Sequence, residues 1–265
     1  MRRRHLFEFN ESDRCPDVVR RSITRLLQWG ALRFGIYAPA AELIRELLEA
    51  HGGQQIVDLG AGSGGPWPAL LREPALAGVG LRLTDRALDA RALDAFDPDT
   101  RARVALGPEA PRFLPGAELD GLRTAFACLH HLTPDALAEA LGRVARDRFP
   151  FLAIEVTERT WCALVRQVVF GPLALWGIAC LRPTPGQILL TYVIPVIPLA
   201  LVWDGCVSCL RSYGTEELLA LARRHARDDY VWDAGILRPP GGAALVFLRG
   251  RPTATAHEEP THRPL

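Results

Sequence analysis

Apolar residues near the start of the chain recur at helical spacing. Over 16–29, Val18, Val19, Ile23, Leu26 and Leu27 are separated by arginines, and Pro16 suits a first turn. A second helix fits 39–50 through Ala41, Ile44, Leu47 and Leu48, and Gly52-Gly53 stops it. The pattern then changes to short apolar runs followed by turns and helices. Strands are expected at 55–59, 80–84, 102–106, 122–129 and 149–156, with helices near 68–72 and over 134–146. Strands alternating with helices predict a parallel, doubly wound, Rossmann-like sheet. At the end of the chain, 230–237 and 243–248 are joined by Arg238-Pro-Pro-Gly-Gly242, too short for a crossover helix, so they predict an antiparallel hairpin. A helix over 216–227, capped by Thr215, precedes it.

One stretch breaks the alternation. Within residues 161–203, the run 163–181 is largely apolar but contains Arg166, Gln167 and Pro172, and 188–203 is more apolar still, with Pro195 and Pro198 inside it. Neither half makes a simple spanning helix of about 20 apolar residues. Three readings are open: an apolar cap over a site, a homodimer interface, and a peripheral or re-entrant membrane contact.

Composition narrows the field. A charged fraction of 23% and a hydrophobic fraction of 49% suit a soluble globular protein. A formal net charge of +1 supplies no broad field for nucleic acid, so none is expected as a partner. All the basic charge is arginine. Phe7-Glu8-Phe9-Asn10-Glu11 stands where a signal peptide needs an apolar run, and the six cysteines are scattered. Both features fit reduced thiols in a cytoplasmic chain, peripheral to the membrane on the third reading. Cys206 and Cys209 lack the second pair a zinc site needs, so no metal is expected.

The chemistry gathers around Val57-Asp58-Leu59-Gly60-Ala61-Gly62-Ser63-Gly64-Gly65. Glycines 60, 62 and 65 form GxGxxG between a strand and a helix, a turn that lets a ligand approach the backbone. Asp58 discriminates between ligands. A carboxylate opposes the pyrophosphate of a dinucleotide, which favours a helix N-terminus, but suits a cationic ammonium and sulfonium. Asp85 ends the second strand, where an acid can accept from ribose hydroxyls. His130 and His131 follow the fourth strand and Glu155 ends the fifth. All lie at the carboxyl ends of strands, where α/β sheets bind ligands. Either histidine could take a proton from a nucleophile, or merely shape the pocket. Glu155 could anchor a histidine, meet substrate or be structural. Tyr192 and Tyr213 are weaker candidates, and Phe7, Phe9, Trp29 and Tyr37 could form a lid or simply pack.

The string Asp-Leu-Gly-Ala-Gly-Ser-Gly over 58–64 resembles motif I of the class I S-adenosylmethionine-dependent methyltransferases of small-molecule type. The resemblance covers 53–158 by motif and order and 214–249 by layout. It implies a seven-stranded, mostly parallel sheet closed by an antiparallel C-terminal hairpin. It also implies S-adenosyl-L-methionine as cofactor, and methyl transfer to O, N or C of a small, hydrophobic or aromatic acceptor. The implied cofactor set is Asp58, Gly60, Ala61, Gly62, Asp85, Glu109 and Ala127; the catalytic candidates are His130, His131 and Glu155. Expected domains are an N-terminal helical cap over 1–52 and a core over 53–250. Residues 160–213 form an insertion within that core, whose place favours the substrate-cap reading, and 251–265 a disordered tail. A membrane-associated protein of this fold, acting on a lipid-like molecule or binding without catalysis, is the alternative.

Overall fold

A computed structural model describes residues 1–12, 14–85, 90–108, 119–225, 227–238 and 244–253. Seven strands form one sheet: β1 Gln55–Leu59, β2 Gly80–Thr84, β3 Val104–Leu106, β4 Leu122–Phe126, β5 Phe151–Glu155, β6 Tyr230–Leu237 and β7 Leu245–Pro252. Their order is β3-β2-β1-β4-β5-β7-β6. Pairings from β3 to β5 are parallel, whereas β7 runs antiparallel to both β5 and β6. The expected parallel sheet with its C-terminal hairpin is present. Strand bounds differ at the ends: the run expected over 122–129 stops at Phe126, and a 3-10 turn, Leu129–His131, follows. The tail beyond 253 and Glu109 lie outside the described residues.

Both faces of the sheet are covered. β4 and β5 are buried at every position, as strands between two helical layers must be. One face packs the Ala40–His51 helix and Trp67, Leu70 and Leu76 against Ile56, Leu81 and Ile154. The other packs the Pro134–Arg146 and Thr215–Arg223 helices against Val57, Ala125 and Leu248. The second of these helices is capped by Gly214, not Thr215, which is already helical; Glu217 accepts from the Gly214 amide at 2.9 Å.

The two leading helices part company. The Asp17–Arg33 helix joins a third core, where Val19, Ile23 and Leu26 meet Ala174, Ile178 and Ile197 from the insertion. The insertion is a layer of short helices: Trp161–Phe170, Leu173–Cys180, Pro185–Ile188 and Val196–Arg211, with a π-helical turn at Leu189–Val193. Gly177 allows the close crossing, since a Cβ there would lie 2.6 Å from Leu26 and 3.0 Å from Trp29. Among the described residues no single helix is long and apolar enough to cross a membrane.

Candidate functional site

The glycine loop leaves β1 with Gly60, Gly62, Gly64 and Gly65 all at positive φ, a conformation strained for residues with a side chain. A Cβ on Gly60 would come within 2.8 Å of Cys128 Sγ, whereas one on Gly62 would meet nothing within 4 Å. The loop is therefore tight against the turn that follows β4 at its first glycine and open at its second. Asp85, at the end of β2, accepts from the Gly62 amide at 2.9 Å, and Ala61 donates to the Thr84 carbonyl at 3.0 Å. Gln28 donates to the Ser63 carbonyl at 2.6 Å, tying the first helix to the loop.

Asp58 sits beneath this loop, 2% exposed. Its Oδ1 accepts from the Thr124 hydroxyl at 2.7 Å, and its backbone carbonyl accepts from Thr84 at 2.7 Å. Burial pushes its carboxyl up to about 7; Thr124 and the nearby Trp67 indole oppose the rise, and the charge of Asp85 adds to it. The buried Trp67 N–H acts on Asp58 without the geometry of a full hydrogen bond. Thr124 was not foreseen. Its only sequence signal is a hydroxyl at a fully buried strand position, which needs a partner.

At the end of β4 the backbone turns through Ala127, which has φ 51° although it carries a Cβ. Its amide donates to the Ile154 carbonyl at 2.8 Å, which holds the strained turn in place. Beyond it, His130 and Glu155 meet in the interior, 2% and 3% exposed. Glu155 accepts from the Leu129 amide at 2.7 Å through Oε1 and lies 2.6 Å from His130 Nδ1 through Oε2. Burial alone would raise Glu155, but His130 and the Leu129 amide outweigh it and hold the carboxyl below the ordinary glutamate range. An ionised carboxylate only accepts, so Nδ1 is the donor and Nε2 faces away. Nε2 is buried without a partner.

His131 is held differently. Its ring lies 4.0 Å from that of His130, and its Nδ1 is 2.8 Å from Glu11 and 3.7 Å from Glu8. Arg211, at the end of the insertion, reaches the same cluster, 2.6 Å from Glu11 and 3.5 Å from Glu8. Burial works against ionisation of Glu11, but His131 and Arg211 prevail and draw its carboxyl down to about 2; burial raises Glu8. Glu8, His130 and His131 bring possible metal-ligand atoms within 4.8 Å of one another. The Arg211 guanidinium already supplies the positive charge there.

An N-terminal segment thus lies over the histidines. Arg3 donates to the His130 and Leu132 carbonyls at 3.1 and 3.0 Å, and its guanidinium stands 4.2 Å from the Tyr213 ring centre. Asp204 accepts from the Phe9 and Asn10 amides at 2.7 and 2.9 Å. Asp204 and Arg211 therefore fasten this segment instead of pairing with each other. Tyr213 donates to Leu132, whereas Tyr192 donates to Leu175 within the insertion, apart from the histidines. The four aromatic lid candidates divide. Tyr37 packs on Phe126, Trp29 on Trp176, and Phe7 on Phe9 and Trp203.

Glycine loop, Asp85, the β4 turn and the His130–Glu155 pair share the carboxyl edge of a sheet whose single reversed strand, β7, lies between β5 and β6. The fold is that of a class I methyltransferase. No family model and no curated protein matches the chain. Among solved structures it is similar to an O-methyltransferase family protein from Burkholderia thailandensis, at 15% identity over 85% of this chain and 58% of that one, with a TM-score of 0.47. Human N-acetylserotonin methyltransferase in complex with SAM is 13% identical over 96% and 63%, with a TM-score of 0.46. TnmH is 21% identical over 83% and 57%, with a TM-score of 0.45. The chain spans less than two thirds of the length of each.

Proposed function

We propose that this methyltransferase-fold protein moves a methyl group from S-adenosyl-L-methionine to O, N or C of a small molecule. The observation that carries the reading is the bond from the Gly62 amide to Asp85. A pyrophosphate would need the amides of this loop as donors; here one of them is engaged by the protein's own carboxylate. With Asp58 below, the loop presents acid where a dinucleotide needs donors and where a cationic ligand is favoured.

The residues fit the cofactor. Open space beside Gly62 gives room for close approach, Asp85 stands where ribose hydroxyls would donate, and a bound ammonium would draw the buried Asp58 carboxyl, at about 7 without it, toward its ionised form. When bound, S-adenosyl-L-methionine supplies an electrophilic methyl group on a sulfonium. The chain's part is positioning, which alone can carry much of a displacement, and proton acceptance. Glu155 holds the proton of His130 on Nδ1, which leaves Nε2 as the nitrogen able to receive one from an acceptor hydroxyl or amine. The segment over 3–11 lies over the histidines and leaves His130 buried and His131 partly exposed.

A groove of about 1000 Å³ opens beside Ser63, with neither His130 nor Asp85 in its lining. Most of its lining is polar or charged, including Arg20, Arg25, Gln28 and Asp94, with Val18, Trp29, Leu32 and Leu181 between them.

Calorimetric titration with S-adenosylhomocysteine, set beside NADH and an Asp85→Ala variant, tests the assignment. Binding of the homocysteine product that is lost in the variant is the expected result. A folded protein that binds NADH and not the product would overturn it.

A further inference from the structure

The layer formed by the insertion has two faces, and only the inner one is used. Ala174, Ile178, Ile197 and Ala200 are buried against the first helix. The outer face carries Trp161, Val165, Val168 and Val169 at i, i+4, i+7 and i+8 of one helix, all at least 59% exposed. Val196, Leu199 and Trp203 form a second stripe at i, i+3 and i+7, with Leu199 66% exposed. Between them the Leu173–Cys180 helix, Leu-Ala-Leu-Trp-Gly-Ile-Ala-Cys, has no polar side chain on any side. A helix apolar all round belongs in a protein core or in lipid, yet Trp176 is 47% exposed.

Charge identifies the partner. From 159 to 203 the chain has three arginines and no Asp or Glu; Arg159 is paired with Glu217 at 2.8 Å, so Arg166 and Arg182 carry the charge of this face. A second copy docking through the same face would set these cations against each other, with no acid from that stretch to pair them. Anionic lipid headgroups complement them, and Trp161, Trp176, Tyr192 and Trp203 are the residue types enriched at the headgroup level. The helices also suit lying in a surface better than crossing it. The Trp161–Val169 and Leu173–Cys180 pair is bent by 52°, and the Pro185–Val193 and Val196–Arg211 pair by 72°.

We propose that the outer face of the insertion docks the protein on an anionic membrane surface, its apolar side chains in the headgroup–acyl boundary and its arginines among the phosphates. The proposal stands on this face alone and does not depend on the methyl-transfer reading.

Flotation of the whole chain with phosphatidylcholine vesicles, with and without phosphatidylserine, tests it, with light scattering in lipid-free buffer alongside. The protein should float with the anionic vesicles and far less with the neutral ones, and its tryptophan emission should shift to the blue. Leu199→Ala removes three outward carbons and should weaken partitioning roughly tenfold or more. Arg166→Gln should weaken binding to the anionic vesicles roughly fivefold and leave the weak neutral binding alone. Circular dichroism would verify that both variants fold. Absence of vesicle binding would overturn the proposal. So would a stable lipid-free dimer that Leu199→Asp disperses, which would assign the face to a second copy.

Discussion

Replacing Glu155 by Gln should reverse the tautomer of His130. Glu155 meets two donors, the Leu129 amide at 2.7 Å and the His130 Nδ1–H at 2.6 Å. Glutamine keeps the shape but has one acceptor and one donor end. If its oxygen faces Leu129, its NH₂ faces Nδ1, which must become an acceptor, and the imidazole proton moves to Nε2. If its oxygen faces Nδ1, two donors meet at Leu129 and a buried amide goes unsatisfied, at about 1–3 kcal/mol. The first arrangement leaves one buried N–H, that of Nε2, without a partner and the second leaves two, so a difference of about 1–2 kcal/mol, roughly tenfold, favours the first. The exchange also turns two charge-assisted bonds into neutral ones, each weaker by about 1 kcal/mol, partly offset because no charge is then buried. A net loss of about 1 kcal/mol should lower the Tm by about 2–4 °C. Nitrogen-15 NMR of labelled histidine reads the protonated nitrogen directly, without a methyl acceptor. A proton that stays on Nδ1 in the variant would refute the claim that the Leu129 amide fixes the orientation of this pair.

Gly60→Ala should destabilise the fold by about 2 kcal/mol or more, since its φ is 71° and the new Cβ would press on Cys128 Sγ. Gly62→Ala, with open space around it, should cost only about 1 kcal/mol yet weaken homocysteine-product binding; urea titration and calorimetry separate the two. Asp58 is raised to about 7 in the folded protein, so the stability from its protonated form is full below its unfolded pKa and is lost as the pH rises through about 7. Urea titrations at about pH 5 and about pH 8 should show a fall of a few kcal/mol that Asp58→Asn abolishes and Thr124→Val deepens. Arg211→Met should destabilise by about 3 kcal/mol by taking the guanidinium from Glu11 and from the buried Glu8, which keeps only His131 at 3.7 Å, and adding Glu8→Gln should recover part of that loss in chemical denaturation.

Periodicity made the sheet legible. β1, β2 and β6 fall where the apolar runs predict, and the short link after Leu237 gave the hairpin because no crossover fits in it. The glycine loop was legible because Gly60, Gly62 and Gly65 follow an apolar strand in the GxGxxG spacing, and all three adopt positive φ. What joined the catalytic candidates was less visible. His130 and Glu155 could each be placed at a strand end from order alone, but their pairing depends on a turn at Ala127, an alanine with positive φ that no propensity predicts. The partners of His131 come from residues 8, 11 and 211, so distant in sequence that their charges look like ordinary surface polarity. Asp204 and Arg211 are polar groups framed by apolar ones along the sequence. The use made of them, fastening an N-terminal segment through its backbone amides and carbonyls, involves groups that every residue carries and that no side-chain pattern encodes. The insertion shows the complementary limit. Its apolar composition announced a buried surface, but a stripe turned to a core and a stripe turned outward have the same period. Only the packing against Val19, Ile23 and Leu26 distinguishes the face that is buried from the face that is exposed.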